Sequence, residues 1–228
     1  MKLFAPRSKL PQGSMLAVQN SDRLVASAKI LAAQGDFATA SSLLVLAAEE
    51  LIKAFIWMIK GMGMHLPLPS QRRFTTDHRT RHEIARFQTF TMYLMGRFFD
   101  WHFDLQERFK DDTVGLRKAR KTEFEKYLDV VRNLDTDHVF NRLMEWWENA
   151  NRLKNFGLYV DFDGEKWRTP ESVGEADYAQ SLEVVNEWRE VVGESVRQWA
   201  ELGDEERRSL GRTYRSQMRQ AFPKDPPE

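Results

Sequence analysis

The chain has 228 residues, enough for one well-buried domain with a small appendage. Lys+Arg and Asp+Glu balance at 34 each, so no global basic field points to nucleic acid, although the basic half is mostly Arg, the residue suited to bidentate phosphate contacts. The absence of cysteine excludes disulfides, thiolate zinc sites and cysteine nucleophiles, and fits a reducing compartment.

Residues 1 to 13 read as a flexible arm, with charge and two prolines but no apolar core of signal-peptide length. Pro11-Gln12-Gly13-Ser14 separates it from a first helix expected from Ser14 to Gln34, with Ala17, Leu24, Ala28 and Leu31 on the inner face. After a glycine turn comes the stretch that organises the chain, Gly35 to Gly61. Asp36 is the expected N-cap. Phe37, Ala40, Leu44, Ala47, Leu51, Ala54 and Met58 form one apolar stripe, and Val45, Ile52, Ile56 and Ile59 form a second. Ser42, Glu49, Lys53 and Lys60 fall on almost one line as a narrow polar strip, the pattern of a central helix wrapped by others. Glu49 and Lys53, at i,i+4 with the acid first, are expected to form a structural ion pair. Glu49, Glu50 and Lys53 interrupt the apolar run, so no membrane span is expected, and a cytoplasmic location is.

Glycines and prolines mark Met62 to Thr76 as a loop. A third long helix is expected from a cap at Thr76 or Asp77 to about Lys110, heavy with aromatics. Those at 98, 99, 101 and 103 cannot all face one core, which predicts an exposed aromatic surface and a homodimer. Thr122-x-x-Glu125 is a capping box for a fourth helix. A fifth helix is expected after Asp135-Thr136-Asp137, with Phe140, Leu143, Met144 and Trp147 inward, ending near Gly157. The β-prone residues from 158 to 168 surround an Asp163-Gly164 turn signal, consistent with a short hairpin. Thr169-Pro170 is the expected start of the next helix, with a second start at Ser172-x-x-Glu175, and the helix reaches about Leu202. Gly203-Asp204 leads into a last charged helix to about Phe222, carrying Arg207, Arg208, Arg212, Arg215 and Arg219 as a solvated face or a weak phosphate-contacting strip. The expected organisation is an all-α bundle of five to six helices over residues 14–202, preceded by the arm at 1–13 and followed by the charged helix and tail at 203–228.

His78 and His82 stand one turn apart at the start of the third helix, with Arg79 and Arg81 between them. Three readings compete. A metal pair lacks a third ligand at readable spacing, and the two arginines would repel a cation. An RNA or phosphate site suits a helix start, whose free N–H groups favour anions. The plainest reading is a solvated helix cap. Glu49 and Glu50 can be read as an acid–base pair, but Lys53 beside them favours an internal ion pair that fixes register.

The chain also resembles a known family. Asn20-Ser21-x-x-Leu24-x-x-Ser27-Ala28-x-x-Leu31, then Gly35-Asp36-Phe37-x-x-Ala40, then Leu46-Ala47-x-Glu49-Glu50-x-x-Lys53-Ala54 are similar to the first two helices of the AbiV-type abortive-infection proteins, a branch of the HEPN helical superfamily. Two later landmarks match as well. One is Asp77-His78-Arg79-Thr80-Arg81, with Arg81 where the family usually has Lys. The other is Gly157-Leu158-Tyr159-Val160-Asp161 followed by Trp167-x-Thr169-Pro170. The resemblance covers roughly residues 15 to 200.

It implies an HEPN-like bundle and an anti-phage protein that halts growth or translation. Many HEPN proteins are metal-independent endoribonucleases using an Arg and a His four to six residues apart, the His moving a proton and the Arg stabilising phosphate charge. Arg72 and Arg73 with His78, Arg97 with His102, and Arg132 with His138 meet that spacing, as chance alone would allow for one or two. In the family's order the equivalent stretch runs from Arg152 to Tyr159 and ends in Tyr where a nuclease has His. The implied site therefore takes His78, His82 and Arg152 as catalytic candidates, with Arg79, Arg81 and Tyr159 as RNA or phosphate contacts. No cofactor or metal is expected. RNA, a phage-encoded activator protein and a second copy of the chain are the expected partners. The alternative function is a non-catalytic module that senses a phage protein through protein contacts.

Overall fold

A computed structural model describes residues 7–63, 86, 89, 108–109, 111–112, 114–115, 138–162 and 164–221. The chain divides into two compact units, residues 1–81 with 150–228, and residues 82–149.

The first unit is built on an antiparallel helix pair, α1 (Leu10–Ala33) and α2 (Phe37–Gly61). Helix α1 begins before the expected Ser14, because Pro11 lies in its first turn. There a missing N–H costs nothing and a fixed φ is already helical, so the proline opens the helix instead of breaking it. Gly35 adopts φ +83°, the left-handed conformation that closes α1. At the next residue, the Asp36 carboxylate accepts a hydrogen bond from the Thr39 amide at 3.0 Å and opens α2.

Helix α2 is the centre of this unit, as its sequence predicts. Leu44, Val45, Leu51, Ile52, Ala54 and Ile56 are fully buried on several sides of it. It packs against α1, against α4 (Glu175–Trp188), against a π-helical turn (Arg189–Gly193), and against α5 (Glu194–Glu201). Its last turn meets Trp199 at Gly61, where a Cβ would stand 2.2 Å from the indole ring.

Helix α3 (His138–Leu158) is the fifth helix expected from the sequence. Phe140 and Trp147 are buried as expected; Leu143 and Met144 are half-buried, and Trp146 is buried too. Its end packs closely on the start of α2. A Cβ on Gly157 would lie 2.4 Å from the Ala38 carbonyl oxygen, so only glycine permits this approach. The Ser42 hydroxyl lies 3.0 Å from the Lys154 carbonyl and fastens the same contact.

Beyond α3 the expected hairpin forms from β1 (Asp161–Phe162) and β2 (Trp167–Arg168), antiparallel, with Phe162 opposite Trp167 and Gly164 at φ +97° in the turn. Thr169-Pro170 starts a single 3-10 turn, Pro170–Ser172, and not the helix expected there. Helix α4 starts instead at Glu175, where the Asp177 carboxylate accepts from the Gly174 amide at 2.9 Å. A first-turn carboxylate thus supplies the cap that Ser172 was expected to give.

From α4 to α5 the backbone runs on as one helix through the π turn. Arg189 within it and Arg197 of α5 both donate to the Asp22 carboxylate of α1, at 2.7 to 2.9 Å. A last helix, α6 (Asp204–Ala221), docks on the end of α2, with Gly211 against the Met62 carbonyl. The Arg207 guanidinium bonds the Ala200 carbonyl at 3.0 Å and the Leu202 carbonyl, satisfying the open end of α5, and lies 5.7 Å from the Trp199 ring.

In the second unit, Arg86 pairs with Glu148 at 2.5 Å, and the Trp146 and Trp147 rings meet edge to face at 4.8 Å. The expected third and fourth helices lie almost wholly outside the described residues. Among the described residues, no helix is long and apolar enough to cross a membrane.

Candidate functional site

His78, Arg79, Arg81 and His82 lie outside the described residues. The described part of the sequence-derived site is therefore the end of α3, with Arg152 and Tyr159, and the buried polar strip of α2.

Glu49 is buried, as expected, but its ionic partner differs. Lys154 of α3 reaches it at 3.2 Å, both side chains less than a tenth exposed. Lys53 instead donates to Glu50, one turn back on α2, in a pair still open to solvent. The expected Glu49–Lys53 pair is thus two separate pairs. Lys53 sits on the flank of α2, whereas Glu49 faces the seam with α3, and the nearest buried cation there comes from 105 residues away. Lys154 continues the inward row of α3, falling seven residues after Trp147 and fourteen after Phe140. A lysine on an otherwise apolar stripe was the signal that a buried acid stood opposite. Glu49 thus ties α2 to α3, while Glu50 and Lys53 pair within α2.

That internal anchor fixes what the outer face of α3 presents. Arg152 and Tyr159 are seven residues apart, two helical turns, so both project from the same side, about 10 Å apart along the axis. The helical hydrogen bonding continues to Tyr159, whose amide donates to the Asn155 carbonyl at 2.9 Å. Both side chains are exposed, Tyr159 to 63%. Neither is paired with a side chain among the described residues. Arg152 offers a guanidinium fork for a phosphate, and Tyr159 a ring face and a hydroxyl.

The arginine strip of α6 is largely occupied by its own helix. Arg207 pairs with Asp204 at 2.5 Å, and Arg212 and Arg208 with Glu205 at 2.9 and 4.0 Å. These pairs leave it a solvated face, with Arg215 and Arg219 outside the described side chains. The Asp22–Arg189–Arg197 cluster is likewise satisfied internally, Arg189 adding Asn186 at 3.3 Å. Among the described residues no group of three or more His, Cys, Asp or Glu residues could hold a metal ion.

Sequence reasoning quoted Trp167 as a family landmark but gave the hairpin aromatics no role. Phe162 and Trp167 face each other across the strands at 5.3 Å and are 51% and 69% exposed. Arg168 reaches back over the Phe156 ring of α3 at 5.9 Å. The period-two alternation that makes these residues β-prone is the same whether their face is covered or open, so exposure was not legible.

Against known proteins, the AbiV model of the HEPN class matches residues 9–190, taking in α1, α2, α3, the hairpin and α4. No curated protein and no solved structure matches the chain. The family match covers most of the chain and includes every sequence-derived site residue, so the chain belongs to the AbiV family of abortive-infection HEPN proteins.

Proposed function

We propose that this protein halts growth in phage-infected bacteria by engaging RNA, and that it binds RNA without cutting it at the Arg152–Tyr159 face. The observation that carries this reading is that Arg152, exposed and without a side-chain partner among the described residues, stands two turns before an exposed tyrosine on one side of α3. Arg152 supplies a phosphate contact and Tyr159 a base-stacking ring, the two elements a single-stranded RNA site needs. In the family's order Tyr159 stands where the superfamily's nucleases have His, which favours binding over cleavage. The His78-to-His82 segment, with Arg79 and Arg81, is the remaining proposed contributor. Controlled expression in a bacterial host tests this. Growth arrest with total RNA free of new ends supports binding, and discrete new ends lost in His78→Ala restore cleavage.

A second reading, a module that works through protein contacts with a phage-encoded activator, is favoured by one observation, the exposed aromatic pair of the hairpin. In either case we propose a homodimer. Light scattering at micromolar concentration should return about twice the 26.8 kDa chain mass. A monomer in both low and moderate salt contradicts the dimer.

A further inference from the structure

Helix α1 turns a patterned face to solvent. Leu16, Gln19, Arg23, Ala26, Ile30 and Ala33 follow one another at alternating steps of three and four residues, and all of them are exposed. That is the spacing by which one helix seats against another. Its large apolar members, Leu16 and Ile30, are 58% and 62% exposed, so within a single chain the row stays uncovered.

Charge selects the partner. The exposed charged residues of α1 are Arg23 and Lys29, both basic, and its one acid, Asp22, is spent on Arg189 and Arg197. The neighbouring run from α4 through the π turn to α5 has the opposite bias. Its exposed charged residues are Glu175, Glu183, Glu190, Glu194 and Glu201, and its only cations are the two arginines bound to Asp22. Glu194 is met by Arg197 and Gln198 of its own helix, but Lys29, Glu190 and Glu201 have no ion-pair partner among the described residues. A basic helix and an acidic run thus lie side by side on α2, with Val191 adding exposed apolar surface on the acidic side. A purely acidic or purely basic partner suits one half and is repelled by the other. A second copy, turned about a two-fold axis between the two elements, suits both, because each copy's acidic run meets the other's α1.

We infer that α1 and the α4-to-α5 run form a self-complementary dimer surface. Arg23 and Lys29 of each copy face the carboxylates of Glu190 and Glu201 of the other, around apolar contacts made by Leu16, Ile30 and Val191. This inference rests on the homodimer proposed above and gives it a surface, without drawing on the aromatics at 98 to 103.

Paired charge reversal in the full-length chain tests it. One variant carries Arg23→Glu and Lys29→Glu, the other Glu190→Lys and Glu201→Lys, all at exposed positions and all checked for unchanged melting. Dimer affinity is measured by analytical ultracentrifugation for wild type, for each variant, for their equimolar mixture, and for a chain with all the substitutions. A second measurement needs no variant: isotope-labelled and unlabelled wild type are mixed and coupled with a carbodiimide, which joins a lysine amine to a carboxylate in contact with it.

Each variant alone opposes like charges at both symmetry-related contacts, so its dimer Kd should rise about tenfold or more. In the mixture opposite charges meet at both contacts, and a heterodimer of near wild-type affinity should form, as should a dimer of the fully substituted chain. Added salt should weaken the wild-type dimer. Mixed-isotope cross-links should join Lys29 to Glu190 or Glu201. A monomeric wild type overturns the homodimer and this surface with it. A dimer retained by both variants, or a mixture no tighter than either variant alone, overturns the surface and leaves the homodimer standing. Where a variant melts early, the wild-type cross-links decide: a dimer with mixed-isotope links only between other residues, or with none, overturns the surface.

Discussion

Glu49 shows how burial sets the worth of a charge. Lys154 meets it in a seam closed to water, whereas Lys53 meets Glu50 where solvent still screens the pair. Removing one partner of a buried pair is costly because the other stays in low dielectric; removing one from a half-exposed pair is cheap. Lys154→Ala should therefore lower unfolding stability by about 3 kcal/mol, and Lys53→Ala by less than about 1 kcal/mol. Urea denaturation of the two variants measures the contrast, and equal losses would show that the two pairs are equivalently screened. The sequence announced that Glu49 would be buried, because its polar strip is narrow and lies between apolar stripes on a helix wrapped by others. It did not announce the partner, since local spacing offers Lys53 and only the three-dimensional packing of α3 on α2 brings in Lys154.

At its end, α3 touches α2 through small residues, Gly157 against Ala38 and Ser42. Gly157→Ala would press a methyl group against the Ala38 carbonyl and the Ser42 hydroxyl, and α3 would have to shift. The expected cost is about 1 to 3 kcal/mol, seen as a lower melting temperature; an unchanged melt would mean that the helix end moves freely.

At the other end of α2, the start of α6 depends on a titratable contact. Arg207, bonded to Asp204, holds that carboxyl below its ordinary value of 3.8. A depressed folded value means the contribution is present above 3.8 and is lost as pH falls through the lower, folded value. Asp204→Asn should thus melt below wild type at neutral pH, with the gap closing in strong acid; a gap independent of pH would remove the contact from the account.

Elements with strong local signals were legible: the apolar stripes of α2, its Asp36 cap, the Gly35 stop and the Asp163-Gly164 turn. Three features were not. Pro11 reads alike as a breaker or as a first-turn residue until its neighbours are placed. Thr169-Pro170 opens a 3-10 turn as readily as a helix. The π turn at Arg189–Gly193 has no local signature, and its Arg189 is drawn to Asp22, 167 residues earlier.

Across the whole molecule, an anchored interior and an open α3 face have different tasks. The buried Glu49–Lys154 pair and the Gly157 contact hold α3 from behind, and the hairpin extends from its end. What remains toward solvent is the Arg152–Tyr159 face, proposed above as an RNA contact, in a chain of the AbiV family. The candidate site was only partly legible. Arg152 and Tyr159 were named from the family's order, while their shared exposure follows from the helix geometry.

The most direct measurement is fluorescence anisotropy of a labelled single-stranded RNA titrated with wild type, Arg152→Ala and Tyr159→Ala. Wild type should bind, and binding should weaken as salt rises because phosphates exchange Arg for counterions. Arg152→Ala should lose affinity and flatten the salt dependence, and Tyr159→Ala should lose about 1 to 3 kcal/mol of stacking without changing the melting temperature. Wild-type affinity retained in both variants, or no binding by wild type at tens of micromolar protein, on the order of weak non-specific affinity, would contradict the RNA-binding account.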